Sequence, residues 1–144
     1  MEHIIKEIKN NPLFDNMSED EIKKVLNCGD ATVESFTDNQ ILIEKNNRVK
    51  KLGIVIEGVL NLVSQKYNGT RVIVTTLEKN DLFGEALIYA SASYSPYDLI
   101  SSCKSKVLLI PNRVFSNMCS RGCSCHNQLI INMLTILSDK IVML

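Results

Sequence analysis

The chain has 144 residues and a mass of 16.2 kDa, the length of one domain with enough material for a proper core. Hydrophobic residues make up 45 % of it, which excludes an intrinsically disordered polymer. Sixteen basic residues balance sixteen acidic ones, so bulk charge gives no basic face for nucleic acid.

The first twelve residues, "MEHIIKEIKNNP", carry charges throughout and lack the apolar run of a signal peptide. They read as a helix with Ile4, Ile5 and Ile8 on one face, stopping at Asn10–Asn11–Pro12. In "MSEDEIKKVL", Ser18 and Glu21 have the spacing of a capping box ahead of Ile22, Val25 and Leu26, which predicts a second short helix.

From Ala31 the hydrophobic period changes to two. The runs "TVESF", "QILIE", "LGIVIEG", "VLNLVSQ", "RVIVTTL" and "VLLIP" read as short strands. Asn68–Gly69 between two of them is a hairpin signal, and Gly58 marks a corner. Short strands joined antiparallel imply a sandwich, barrel or jelly roll. After "VLLIP", "PNRVFSNM" reads as a short helix with Pro111 in its first turn, and "CSRGCSC" as an irregular connection.

A long helix is expected from about His126 to the last residue. Ile130, Leu134, Leu137, Ile141 and Leu144 are spaced four, three, four, three along it, a seam of coiled-coil type. A second apolar face is available for packing on the β-domain, but the seam needs a partner. Asn132, Ser138, Asp139 and Lys140 interrupt the region, so it is not a membrane span. The helix reaches "IVML" without a stop signal and is expected to continue in the natural protein, making residues 1–125 a sensor domain and 126–144 the start of a dimerisation helix.

The stretch "DLFGEALIYASASYSPYDLIS" holds the chemistry. Gly84 can open a tight turn into a one-turn helix of the kind that receives an anion. Where a basic residue should close over that anion, the chain has Ser95, Pro96 and Tyr97.

Taken in order, helix, β-roll, small helix and long dimer-type helix, the sequence resembles the effector domain of the Crp/Fnr family of bacterial transcription regulators. The likeness runs from "NPLFDNMSEDEIKKVL" through "LGIVIEGVLNLV" and "NGTRVIVTTLEKNDLFGEAL" to the final helix, and "NDLFGEAL" is its most specific part. The resemblance implies an antiparallel jelly roll of the cyclic-nucleotide-binding type, mainly β with flanking helices and a dimerising C-terminal helix. It also implies a DNA-reading helix-turn-helix module, which is not expected within these residues.

In members that bind cyclic nucleotides, the element matching "FGEAL" gives backbone amides to the cyclic phosphate and a Glu to the ribose. The resemblance thus assigns ligand-binding roles to Gly84, Glu85, Ala86 and Leu87. Those members clamp the phosphate with an Arg followed by Ser or Thr; Ser95 and Pro96 stand at the matching positions here. A charge-assisted Arg–phosphate contact is worth roughly 1.5–3 kcal/mol. Ser95 offers one neutral hydrogen bond, and Pro96 has no N–H. The expectation is that cyclic AMP and cyclic GMP bind weakly or not at all, leaving room for another small effector. Tyr94 and Tyr97 are candidate wall residues for it, and Arg71 is the nearest upstream base.

Five cysteines in a chain without an export signal are expected to be free thiols in the cytoplasm. Cys28 and Cys103 read as small buried apolar side chains. Cys119, Cys123 and Cys125 have a C-x₃-C-x-C spacing that matches no standard zinc or iron–sulfur pattern, although Arg121 beside them favours thiolates. A cupin-type metalloenzyme needs converging histidines, and the only two, His3 and His126, lie outside the strands. No nucleophile–base pair can be assembled, so no enzyme is expected. The favoured reading is a ligand-sensing, homodimerising regulatory domain without a metal. The alternatives are a thiol or metal sensor on the same scaffold and a ligand-free dimerisation module.

Overall fold

A computed structural model describes residues 1–90, 94–116 and 124–143. The chain divides into two compact units, a helical one of residues 1–31 and 110–144 and a β unit of residues 32–109.

In the helical unit, α1 (Glu2–Ile8) buries Ile4, Ile5 and Ile8, the face read from the sequence. A 3₁₀ turn, Pro12–Phe14, follows; the Asn11 side chain caps it by accepting the Leu13 N–H at 3.0 Å. Helix α2 (Glu19–Cys28) starts on the expected capping box. Glu21 N–H donates to Ser18 Oγ at 3.2 Å and Ser18 N–H to Glu21 Oε1 at 3.0 Å. Its apolar face buries Ile22, Val25 and Leu26. Helix α3 is short (Arg113–Ser116), and α4 runs from Ser124 to Val142, two residues longer at its start than expected. The buried face of α4, with Leu129 and Met133 at its centre, packs on the 3₁₀ turn, α2 and α3 of its own unit.

The strands are β1 (Thr32–Phe36), β2 (Ile41–Ile43), β3 (Lys51–Glu57), β4 (Leu60–Gln65), β5 (Arg71–Leu77), β6 (Leu82–Phe83), β7 (Asp98–Ser101) and β8, which begins at Ser105 and ends on Pro111. They form two four-stranded sheets in the orders β1-β8-β3-β6 and β2-β7-β4-β5. Both sheets contribute to one core: Val55, Phe83 and Val107 from the first, Leu60 and Leu99 from the second. This is the antiparallel roll that the period-two runs imply.

The β4–β5 hairpin closes at the expected dipeptide. Gly69 N–H donates to the Lys66 carbonyl at 2.9 Å, and Asn68 Oδ1 accepts from Thr70 N–H at 3.0 Å. At Gly58 the backbone turns with φ +90°, and a Cβ there would sit 2.2 Å from Ser105 Oγ. Only glycine passes that corner.

Three expectations need correction. Pro111 is the last residue of β8 rather than part of a helix, because α3 begins at Arg113. Strands β6 and β7 were not read from the sequence; β6 has two residues, too few for a period, and β7 is embedded in polar and turn-forming residues. Cys28 and Cys103 are exposed, not buried. Cys28 ends α2 off its apolar face, and Cys103 lies in the connection between β7 and β8.

Candidate functional site

Strand β6 ends at Gly84, whose φ of +85° is left-handed. A Cβ at this position would lie 3.0 Å from the Lys51 carbonyl, so backbone shape and close approach both require glycine. The chain then makes a 3₁₀ turn, Glu85–Leu87, with Leu87 N–H donating to the Gly84 carbonyl at 3.2 Å. The one-turn helix expected after Gly84 is present.

The facing segment is pinned by its backbone. Ser95 N–H donates to the Asn47 carbonyl at 2.9 Å, and Asn46 N–H to the Ser95 carbonyl at 2.8 Å. Ser95 is 5 % exposed, and its hydroxyl is committed locally. It donates to the Tyr97 carbonyl at 2.5 Å and accepts the Tyr97 N–H at 3.2 Å. Lys45 N–H adds a 2.6 Å bond to Asp98 Oδ1.

Between these segments lies a cavity of about 240 Å³. Gly84, Glu85, Ala86, Leu87, Ser95, Pro96 and Tyr97 all line it, so seven of the residues singled out in the sequence meet at one place. Its apolar wall comes from Ile43, Val49, Leu62, Leu77, Phe83 and Leu99. Thr75, on β5, also faces it. The sequence reading missed Leu62, Thr75 and Leu77; the signal was the strand period, which puts Thr75 and Leu77 on one face of β5.

Two candidates fall elsewhere. Arg71 opens β5 opposite Gln65 and does not line the cavity. Tyr94 is 53 % exposed and stands outside it, paired across an isolated bridge to Arg48, whose guanidinium lies 5.5 Å over the ring. Glu85 and Tyr97 are the only ionisable side chains among the described lining residues. Beyond the 3₁₀ turn, burial pushes the Tyr89 phenol above its ordinary range.

Of the clustered cysteines, Cys119 and Cys123 lie outside the described residues. Cys125 is buried on α4. Among the described residues no three His, Cys, Asp or Glu side chains converge as metal ligands, and no helix is long and apolar enough to cross a membrane. His126 is also buried, its Nε2–H donating to the Val114 carbonyl.

Residues 33–121 match the cyclic nucleotide-binding domain family, well over half of the chain. The chain belongs to that family. Among solved structures this cyclic nucleotide-binding domain is similar to the sensor domain of the transcriptional regulator DNR from Pseudomonas aeruginosa, with TM-score 0.78, 14 % identity and coverage of 97 % of this chain and 91 % of that one. It is also similar to the catabolite activator protein of Thermus thermophilus, with TM-score 0.74, 15 % identity and coverage of 90 % and 58 %. A third likeness is to the regulatory subunit of a cAMP-independent protein kinase A from Trypanosoma brucei, at TM-score 0.73, 18 % identity and coverage of 95 % and 46 %. This domain thus spans about half the length of two of these relatives. Its neighbours include Crp/Fnr-type transcription regulators, and at such identities the likeness is one of fold. No curated protein matches the chain.

Proposed function

We propose that this chain is the effector-sensing and dimerisation domain of a Crp/Fnr-like transcription regulator whose pocket has given up cyclic nucleotides. The observation that carries the reading is the lining of the Gly84 cavity. The family's turn is intact at Gly84–Leu87, yet no Lys, Arg or His lies among the described lining residues, and Ser95, at the position of the clamp, spends its hydroxyl on Tyr97. A cyclic phosphate would meet no counter-charge among the described lining residues.

The trypanosomal neighbour supports the same logic. It is described as cAMP-independent, and the form with cAMP in its A site carries three substitutions, one of them threonine to arginine. In this reading the domain is a cytoplasmic regulatory module and not an enzyme. It pairs with its copy through α4, and DNA is met through a further module.

Isothermal titration calorimetry of about 50 μM protein with cyclic AMP and cyclic GMP tests it; dissociation constants weaker than about 100 μM are expected. A sub-micromolar constant would overturn the reading. Ser95→Arg combined with Pro96→Ser should then raise cyclic AMP affinity by about tenfold or more.

A further inference from the structure

The Gly84 cavity holds about 240 Å³. An engineered apolar cavity of about 150 Å³ accepts benzene, and drug-sized ligands occupy roughly 300–1,000 Å³. The volume therefore suits one ring with a short substituent and is small for a base, a sugar and a phosphate together.

The chemistry of the wall narrows the choice. Most of it is aliphatic, with Phe83 as its buried aromatic ring. The aliphatic side chains offer an ion nothing to replace the hydration it would lose against them. No Lys, Arg or His lies among the described lining residues to offset an anion's charge.

Two hydroxyls remain for recognition, those of Thr75 on β5 and Tyr97 on the facing segment. Neither has a hydrogen-bond partner among the described residues. Each can donate or accept, so the pair suits a neutral hydroxyl, carbonyl or amide. Ser95 differs from them, its hydroxyl being engaged by the Tyr97 backbone.

We infer that the cavity takes a small, uncharged, single-ring molecule bearing one neutral polar group, held through Thr75 and Tyr97, and that its apolar wall discriminates against anions of the same size. This rests on the reading of the cavity as an effector site.

Benzyl alcohol and benzoate are a matched pair of probes, followed by ¹H–¹⁵N NMR titration of the chain. Benzyl alcohol should shift the amides of Gly84–Leu87, Thr75 and Tyr97 saturably below about 10 mM, and benzoate should bind about tenfold more weakly or worse. Thr75→Val with Tyr97→Phe should weaken benzyl alcohol about fivefold or more. Ala86→Phe, at an exposed position of the Gly84–Leu87 turn, should abolish binding of both probes and supplies a second variant if the Thr75 and Tyr97 substitutions disturb the wall. Equal affinity for the two probes, shifts confined to other residues, or no saturable shift up to about 50 mM would overturn the inference. Tight cyclic AMP binding would instead overturn the functional reading on which it rests.

Discussion

Gly53 and Phe83 share one volume in the β-roll core. They are register partners across β3 and β6, and a Cβ on Gly53 would lie 1.9 Å from Phe83 Cζ. The ring occupies the space that a side chain would need, and it is 5 % exposed. Gly53→Ala must therefore displace the ring, at an expected cost of about 1–3 kcal/mol in urea unfolding. Phe83→Leu alone leaves a void and costs stability of its own. The double variant should be at least about 1 kcal/mol more stable than the sum of the singles. Additivity within about 0.3 kcal/mol would show that the two positions do not compete for space.

A second residue-scale expectation concerns pH. Glu2 is fully exposed, and its pKa is held below the ordinary value of 4.5, first by the hydrogen bond from Lys23 at 3.0 Å and then by the charge of that ammonium. A carboxylate whose pKa falls on folding stabilises the fold above its unfolded value. That contribution disappears as pH drops through the lower folded one. Glu2→Gln should lower the melting temperature slightly at pH 7 and leave it unchanged near about pH 2. High salt should shrink the difference at pH 7, since exposed pairs are screened. A larger difference at low pH than at neutral pH would refute the assignment.

At the scale of elements, α4 is fastened by one polar side chain. Asn132 is 5 % exposed, and its Nδ2 donates to the Leu13 carbonyl at 2.9 Å and to the Asp15 carbonyl at 2.8 Å. Its Oδ1 accepts from Gln128 Nε2 at 2.9 Å. These two carbonyls close the 3₁₀ turn, so the amide ties the N-terminal segment to the long helix. Asn132→Ala leaves the buried Leu13 carbonyl without this donor and should cost about 2–3 kcal/mol. Gln128→Ala, on the more accessible side, should cost less than about 0.5 kcal/mol. Equal losses in thermal unfolding would sink this account.

The same elements explain what could be read in advance. The capping box of α2 and the Asn68–Gly69 hairpin were legible because a local hydrogen bond specifies each one. Strands with several alternating residues were legible by period. Pro111 misled because proline fixes φ at a value suited to a helix start and to a strand end alike. At the site, the Gly84 turn and its Ser95–Pro96 counterpart were visible as motifs, and the structure brings them to one cavity. What no motif encoded was the cavity's size and its wall from β4 and β5, which depend on non-local strand pairing.

At the scale of the whole molecule, α4 exposes apolar residues along one face. Leu134 is 52 % exposed and Ile141 71 %, while Ile130 and Leu137 are half-buried. These are the seam positions read from the sequence, apart from Leu144, which lies outside the described residues. Leu129 and Met133, on the other face, are fully buried within the helical unit. The buried face of α4 is thus already packed within its unit, and the exposed seam is what the proposed pairing with a second copy would cover. Asn132 does not oppose pairing, since it lies off the seam and is satisfied inside the unit. Seam burial at about 25 cal/mol per Å² contributes several kcal/mol per chain. Association itself costs an estimated 4–15 kcal/mol. The expected balance is a weak dimer, with a dissociation constant on the order of micromolar to tens of micromolar. Sedimentation velocity should show dimer at about 100 μM and its loss on dilution to about 1 μM. Leu134→Glu with Leu137→Glu should remain folded by circular dichroism and sediment as a monomer throughout. A wild-type chain that is folded and monomeric at about 100 μM would refute pairing through α4 for these 144 residues.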